Sequence, residues 1–376
     1  MNDGAREARS RQSPPLHGGA KRGTMTLMTR PMPYFTVATL MPIPLILLAA
    51  AFGGIWCVLA LLWITVIAAA LDELVAMVLP EDDPGAEFPA ADTLSVALAL
   101  GHFAILAAAV AAISGEQLSL IEKLSLFLAA GLFFGQISNS NAHELIHRTS
   151  RLLHGLGKWV YITLLFGHHT SAHPLVHHRY VATRMDPNSA RPGEGYYRFA
   201  LRAWRGSFRE GLKVETERMA RTDRPAWRHP YVTYFAGAGL TLLLGALIGG
   251  WWGAFAVLAL GTFAQSQLLL SDYVQHYGLT REILPSGKPE PIAARHSWNA
   301  PHWFSSALML NAPRHSDHHA HPTTPYPALT LPEDAPMLPR SLPIMACLAL
   351  IPPRWRKVMD PRAAEWRNRT RPLAAQ

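Results

Sequence analysis

The chain has 376 residues, of which 49% are hydrophobic and only 16% are charged, and its formal net charge is +8. Soluble proteins of this size carry about 25% charged residues, so the composition argues against a soluble protein. Cys57 and Cys347 form no C-x-x-C pair, which excludes an iron–sulfur or zinc-ribbon site built from cysteine. No glycine-rich dinucleotide fingerprint follows a strand-like segment, so any electrons that the protein uses come from another molecule.

The N-terminal segment, residues 1–32, is polar, basic and rich in Gly, Pro and Ser. This composition predicts a disordered tail, and the segment lacks the apolar centre of a secretory signal. The remaining residues, 33–376, are expected to form a single membrane-embedded domain.

Long apolar segments follow the tail, and each can cross a bilayer, which takes roughly 20 helical residues. Six such segments in one chain favour an all-α integral membrane protein over a buried soluble core. The six predicted transmembrane helices lie at about residues 33–52, 55–79, 93–113, 121–139, 231–250 and 251–271.

Basic residues predict the orientation, because Lys and Arg near span ends stay on the cytoplasmic side. With both termini in the cytoplasm, residues 140–230 and 272–376 form the expected catalytic segments on that face. With this orientation, all of the 34 Lys and Arg residues except Lys123 lie on the cytoplasmic side. The predicted location is a bacterial-type cytoplasmic (inner) membrane, crossed several times, with the active site facing the cytoplasm.

Eighteen histidines are present, and most fall in these two cytoplasmic segments. NAHELIHRTS (141–150), HPLVHH (173–178) and RHSDHH (314–319) carry histidines at helical spacing, so each motif presents imidazoles on one side of a helix or tight turn. SDYVQHYG (271–278) adds one histidine at the membrane boundary, for which spacing alone leaves a structural role equally open. The candidate metal ligands are His143, His147, His173, His177, His178, His276, His315, His318 and His319.

The first motif also satisfies the H-E-x-x-H pattern of zinc proteases, in which Glu144 would be the general base. One zinc ion takes three or four protein ligands, and eight or nine histidines exceed that number. They suit two ions with open positions, although imidazole fits zinc, copper, iron and nickel alike. A site at the mouth of an apolar bundle, without its own redox cofactor, favours oxygen chemistry on a lipid-soluble substrate.

In order, NAHELIHRTS, HPLVHHRYVATRMDPNSAR (173–191), DYVQHYGL (272–279) and APRHSDHHAHPTTPYPAL (312–329) resemble the motifs of the integral-membrane alkane hydroxylases. That family belongs to the histidine-rich membrane di-iron enzymes, which include fatty acid desaturases and xylene monooxygenases. RHSWN (295–299) and residues 338–362 are also similar, so the resemblance covers residues 33 to about 362. The second motif departs from the family pattern, because Ala172 stands where an acidic residue is common and HPLVH is more apolar.

The resemblance implies terminal hydroxylation of n-alkanes to 1-alkanols by O2 at a non-haem di-iron centre, with the nine histidines as ligands of two iron ions. Electrons would come from rubredoxin, which an NADH-dependent reductase reduces, and no bound flavin, haem or NAD is expected. An aromatic-methyl monooxygenase of the xylene type and a fatty acyl desaturase or hydroxylase stay open as alternatives. A zinc protease and a transporter or metal-storage protein are more distant ones, and nothing beyond charge favours nucleic acid.

Several other residues receive predictions of their own. Glu144, Asp186 and Asp317 are candidates for hydrogen bonds that orient ligating imidazoles, although a surface role fits each of them as well. Trp56, Trp63, Trp251 and Trp252 are expected to pack or to anchor the interface rather than to limit a substrate channel. The basic face would attract an acidic electron carrier, but the orientation rule alone also accounts for its charge. Five further histidines are expected not to be ligands: His168, His169 and His321 lie off the ligand spacing, and His296 and His302 are expected to be structural or to support a ligand.

Overall fold

The computed structural model describes residues 32–75, 77–81, 88–222 and 224–370. The predicted disordered tail therefore lies outside the described residues, apart from its last position. The described part of the chain is helical and contains no β-strand, as the sequence predicts. Five of its helices are long and apolar enough to cross a membrane: Met32–Phe52, Ile55–Leu74, Pro89–Ser114, Leu120–Ile146 and Pro230–His276.

Some of these long helices are built from shorter α-helical segments joined by π-helical turns. In chain order the first elements are α1 (Met32–Leu40), α2 (Pro42–Phe52), α3 (Ile55–Leu62), α4 (Ala68–Leu74), α5 (Pro89–Ser114), α6 (Leu120–Phe133), α7 (Asn139–Ile146), α8 (Arg151–Thr163), α9 (His169–Ala172) and α10 (His178–Tyr180). The later ones are α11 (Tyr196–Ala220), α12 (Pro230–His276), α13 (Trp303–Leu308), α14 (His315–Ala320), α15 (Leu342–Ala349) and α16 (Pro352–Thr370). Single π-helical turns occupy Trp63–Ile67, Phe134–Ser138 and His173–His177, and 3-10 turns occupy Ala226–Arg228, Ala294–His296 and Tyr326–Ala328.

The fourth long helix begins at a capping box. The Ser119 hydroxyl accepts a hydrogen bond from the backbone N–H of Glu122, and the Glu122 carboxylate accepts one from the backbone N–H of Ser119. This exchange satisfies two backbone donors that a helix start otherwise leaves unpaired. The helix then runs to Ile146, beyond the predicted end at residue 139. The apolar span and the first part of the first histidine motif, including His143, therefore belong to one helix.

The last long helix, α12, is interrupted in the middle, where Gly249 and Gly250 have non-helical backbone angles. Gly250 has φ 61°, a conformation that side chains rarely tolerate. The chain folds back at this point, as the close approach of Gly253 to Gly245 shows: a methyl group added to Gly253 would lie 2.0 Å from the carbonyl oxygen of Gly245. Residues 230–276 thus form a hairpin of two apolar helices that meet at Gly249 and Gly250, which agrees with the separate helices predicted at 231–250 and 251–271.

Replacing Gly253 with alanine is expected to lower the free energy of unfolding by about 1–3 kcal/mol, the usual effect of overpacking. The new methyl group meets the backbone of Gly245, which cannot rotate away as a flexible side chain can. Gly239→Ala is the matched control, because no atom lies within 4 Å of the added group there. Thermal unfolding in one detergent would measure both variants, and equal midpoints would contradict the close approach of the two halves.

The outward surfaces of the long helices expose large apolar side chains. Leu244, Leu247 and Phe255 of α12 are examples, and Trp251 and Trp252 project at the turn of its hairpin. Exposed aromatic residues at the end of a span suit the membrane–water interface. This surface is what a protein that crosses a membrane several times presents to lipid.

Candidate metal centre

The nine histidines predicted as ligands converge from four stretches of the chain into two adjacent groups. Within each group, one nitrogen from every ring lies within 4.8 Å of the others. The five-histidine group consists of His143, His147, His173, His178 and His318. The four-histidine group consists of His177, His276, His315 and His319.

The second and third motifs each contribute to both groups. His173 and His178 join the five-histidine group, whereas His177 between them joins the four-histidine group. The π-helical turn at His173–His177 widens the helix here, and such turns are frequent at functional sites. In the third motif, α14 likewise directs His318 to one group and its neighbour His319 to the other.

The ring nitrogens approach one another as the ligands of one ion do. Nε2 of His173 lies 2.6 Å from Nε2 of His143 and 2.9 Å from Nε2 of His178. Neighbouring ligands at right angles on an ion with metal–nitrogen bonds of about 2.1 Å are about 3.0 Å apart. A neutral imidazole has a single N–H, so hydrogen bonds among three such nitrogens leave some of them unsatisfied. A shared cation satisfies all of them.

The four-histidine group has the same character. Nε2 of His315 lies 3.0 Å from Nε2 of His276 and 3.1 Å from Nε2 of His319. The buried Nε2 of His177 has no hydrogen-bond partner among the described residues. Both groups therefore fit a metal ion by the chemistry of their donors, and imidazole alone is compatible with several transition metals.

Burial keeps most of these imidazoles in the neutral form that binds metal. It lowers the pKa of His173, His318 and His319 well below the ordinary value, and repulsion from neighbouring imidazoles adds to the effect. The pKa of His147 falls to about 4 for the same two reasons. For His177, burial is the largest single effect and lowers the pKa, but the attraction and hydrogen bond of the Asp186 carboxylate, together with attraction to Asp272, outweigh it and the pKa is raised.

The metal-free protein is expected to lose stability as the pH falls from 6.5 to 5. In the unfolded chain these imidazoles take up protons near pH 6.5, whereas in the folded chain most of them resist protonation. The unfolded state therefore binds more protons in this window, and the free energy of unfolding falls as the pH falls. His177 acts in the opposite direction, but it is one residue against several.

Thermal unfolding of chelator-treated protein, measured between pH 7 and pH 5, checks this expectation. The window lies above the range in which ordinary carboxylates titrate, so their protonation contributes little to the change. A midpoint that stays constant or rises on acidification would contradict it.

Asp186 is the carboxylate that supports a histidine of the centre directly. Its buried Oδ2 accepts hydrogen bonds from His177 Nδ1 at 2.9 Å and from the Ser189 hydroxyl at 2.6 Å, and its Oδ1 accepts one from the backbone N–H of Asn188 at 3.0 Å. A carboxylate on Nδ1 fixes the tautomer and the ring orientation, so Nε2 is free for a metal.

The other two candidate carboxylates, Glu144 and Asp317, contact residues other than the nine histidines. Glu144 is buried with its Oε1 3.3 Å from Nε of Arg148. Asp317 accepts hydrogen bonds from His321 Nδ1 at 2.8 Å and from the backbone N–H of Thr330 at 2.7 Å. Within the described part of the chain, neither carboxylate bonds to one of the nine histidines.

A cavity of about 850 Å³ leads from the centre towards the apolar helices. Its inner end is lined by His143, His173 and His315, so it reaches both groups. Much of the remaining wall comes from residues 64–69, 263–271 and 342–350, and none of the four tryptophans singled out from the sequence lines it. The cavity can hold an apolar molecule with one end beside the metal centre.

The sequence analysis missed polar residues at the inner end of this cavity. Asp272 lines it and accepts a hydrogen bond from Asn188 Nδ2 at 2.6 Å, which connects the cavity wall to the Asp186 network. His169 lines it as well, although it belongs to neither histidine group. Asp272 stands in the fourth position before His276, on the same face of the helix, and that spacing could have marked it.

The other four histidines that were expected not to be ligands also lie outside both groups. His168 approaches the Ser207 hydroxyl at 3.5 Å, and His296 lies 3.0 Å from Glu290. His321 is exposed and contacts Asp317. His302 immediately precedes α13.

Comparison with known proteins places the chain in a family. Residues 123–344 match the model of the fatty acid desaturase family. Alkane 1-monooxygenase 1 of Alcanivorax borkumensis is 35% identical over 274 residues, which cover 70% of this chain and 66% of that protein. An alkane 1-monooxygenase of Pseudomonas putida is 33% identical over 276 residues, covering 71% and 67%.

A more distant relative is the hydroxylase component of the xylene/toluene monooxygenase of Pseudomonas putida, which is 29% identical over 233 residues, 61% of each chain. The present chain spans about two thirds of the length of the alkane relatives. Both the matched region and the histidine motifs within it agree with the resemblance seen in the sequence. The chain belongs to the fatty acid desaturase family, in the branch that contains the alkane 1-monooxygenases.

Proposed function

We propose that the protein is a membrane non-haem di-iron monooxygenase that converts n-alkanes to 1-alkanols. The balanced reaction is RH + O2 + 2 e⁻ + 2 H⁺ → ROH + H2O. The observation that carries the proposal is the meeting of two all-histidine groups at the inner end of one largely apolar cavity. The similarity to alkane 1-monooxygenases supports the choice of substrate.

Two iron ions, held by the five- and four-histidine groups, would supply the redox chemistry that activates O2. The residues of the chain bind and orient the substrate. An alkane has no polar group, so the cavity binds it through burial, at about 0.8 kcal/mol for each CH2 group. When the alkane lies along the cavity, its terminal methyl group is beside His143, His173 and His315.

The proposal includes the electron supply and the orientation. As the resemblance to the alkane hydroxylases implies, electrons would come from rubredoxin, which an NADH-dependent reductase reduces. If each half of the α12 hairpin crosses the bilayer, the chain crosses six times. Because Lys and Arg near span ends stay on the cytoplasmic side, the basic residues outside the apolar segments support a location of the histidine groups on the cytoplasmic side of the inner membrane.

The test is to reconstitute the purified chain with rubredoxin, its reductase, NADH and n-alkanes of graded length. We expect 1-alkanols, formed only when O2 and rubredoxin are present, and close to two iron ions per chain. Purified protein that contains zinc and no iron would overturn the proposal, as would oxidation of NADH without formation of any alkanol. A transporter or storage protein would bind metal but form no product.

A second candidate is oxidation of an aromatic methyl group, favoured by the similarity to the xylene/toluene enzyme. Octane and xylene offered at equal concentration in the same assay separate the two functions. Turnover of xylene well above that of octane would reassign the substrate class. An acyl lipid that gains a double bond would instead indicate a desaturase.

A further inference from the structure

Helix α11 carries a stripe of apolar side chains that are each at least one third exposed. Tyr197, Leu201, Trp204 and Leu212 are 62%, 54%, 37% and 36% exposed. Their spacing of three, four and eight residues places them on one side of the helix. Such a stripe is costly in water and favours contact with an apolar phase.

A basic stripe runs beside the apolar one. Arg198, Arg205, Arg209 and Lys213 are exposed, and none forms an ion pair with another described residue. By contrast, Arg202 and Arg218 on the same helix pair with Glu194 and Glu215. Like charges at positions i and i+4 destabilise a helix, so the row from Arg205 to Lys213 favours an external anion.

Contacts with the α12 hairpin place α11 where that hairpin begins. Trp204 Nε1 donates to the side chain of Gln265 at 2.8 Å, and the Tyr231 hydroxyl donates to the carbonyl oxygen of Phe208 at 2.9 Å. Tyr231 is the second residue of α12, whose exposed apolar surface starts there with Phe235. The apolar stripe of α11 therefore lies level with the start of a predicted crossing.

Helix α16 shows that charge alone does not produce this pattern. It also exposes basic residues, among them Arg354, Arg356 and Lys357, but its large apolar side chains Trp355 and Met359 are buried. An acidic soluble protein needs only a basic surface, whereas a lipid surface offers acyl chains and phosphates together. A helix with one apolar and one basic stripe suits the plane of a membrane that contains anionic lipid.

We propose that α11 lies in the membrane interface and that its basic stripe binds the headgroup phosphates of anionic phospholipids in the leaflet on the side of the histidine groups. The opposite face of the helix packs on the second histidine motif. Ser171 lies two residues before His173, and its hydroxyl donates a hydrogen bond to the Glu215 carboxylate at 2.7 Å. Bound lipid thus holds α11 against the segment that carries three of the nine histidines.

The test uses the full chain in detergent, titrated with phosphatidylglycerol or phosphatidylcholine, with retained lipid counted by native mass spectrometry. The variant combines Arg205→Gln, Arg209→Gln and Lys213→Gln. Its matched control combines Arg354→Gln, Arg356→Gln and Lys357→Gln, which removes the same charge from α16. Unchanged helix content would verify that both variants fold.

We expect the α11 variant to lose preference for phosphatidylglycerol by roughly tenfold or more, since each basic residue near an anionic surface contributes severalfold to binding. The α16 variant should keep the wild-type preference. An unchanged α11 variant, or equal losses in both variants, would overturn the proposal. Unchanged lipid binding with weaker binding of rubredoxin would reassign the stripe to an acidic protein, and none of these readouts depends on alkane turnover.

Discussion

If the protein has the proposed function, replacing His315 with alanine is expected to abolish alkane hydroxylation and to reduce bound metal from the proposed two ions per chain towards one. His315 is buried, and its Nε2 lies 3.0–3.1 Å from two other histidines of its group. The variant leaves three imidazoles and a hole where the cavity meets the centre. Since loss of an outer partner alone typically costs 10–100-fold, removal of a ligand should lower turnover by more than about 100-fold. Elemental analysis and alkanol formation measure the two effects.

His321→Ala is the control for this experiment. His321 lies directly after the same helix, is exposed, and belongs to neither histidine group. The control should retain both metal and turnover. Full activity in His315→Ala, or an equal loss in both variants, would contradict the assignment of the four-histidine group.

Asp186→Asn should weaken metal binding by about 10–100-fold, the usual effect of losing a partner that orients a ligand. The buried carboxylate holds His177 Nδ1, and an amide there can present its N–H₂ to the ring and favour the wrong tautomer. His177 Nε2 would then carry the proton and point it at the metal position. Competition with a chelator of known affinity measures the change, and turnover should fall with it.

The exposed Asp334 provides the matched change of charge, since Asp334→Asn removes a carboxylate that forms no hydrogen bond or ion pair with a histidine of the described residues. It should leave metal affinity unaltered. If Asp186→Asn also bound metal as tightly as the wild type, Asp186 would be a structural residue of the 186–189 turn and no support for the centre.

Hydropathy was sufficient to find the apolar helices but not the residues at which they end. The span predicted at 121–139 extends to Ile146 because polar residues of the first histidine motif are buried by the fold, which a hydropathy window does not register. The span predicted at 55–79 ends at Leu74, where Val75 turns to an extended conformation. At Gly249 and Gly250 the predicted boundary between two helices is right, but hydropathy gives no sign of how closely the two halves pack at Gly245 and Gly253.

Spacing and resemblance identified the nine histidines that the fold brings together, yet not how they divide. The spacing of His173, His177 and His178 suggests a single ligand face, whereas the structure sends the middle one to the other group. A π-helical turn depends on packing around it, and no local pattern in HPLVHH announces one. Asp272 and Asn188 also escaped notice, because their 2.6 Å contact joins residues 84 positions apart.

The way the second and third motifs straddle both groups has a consequence for assembly. An ion that settles in either position immobilises two short stretches of backbone, and the same stretches carry donors for the vacant neighbour. Binding of the first ion then bears most of the entropy cost of ordering these segments. Metal occupancy should therefore rise cooperatively, with few singly loaded molecules at intermediate metal concentration.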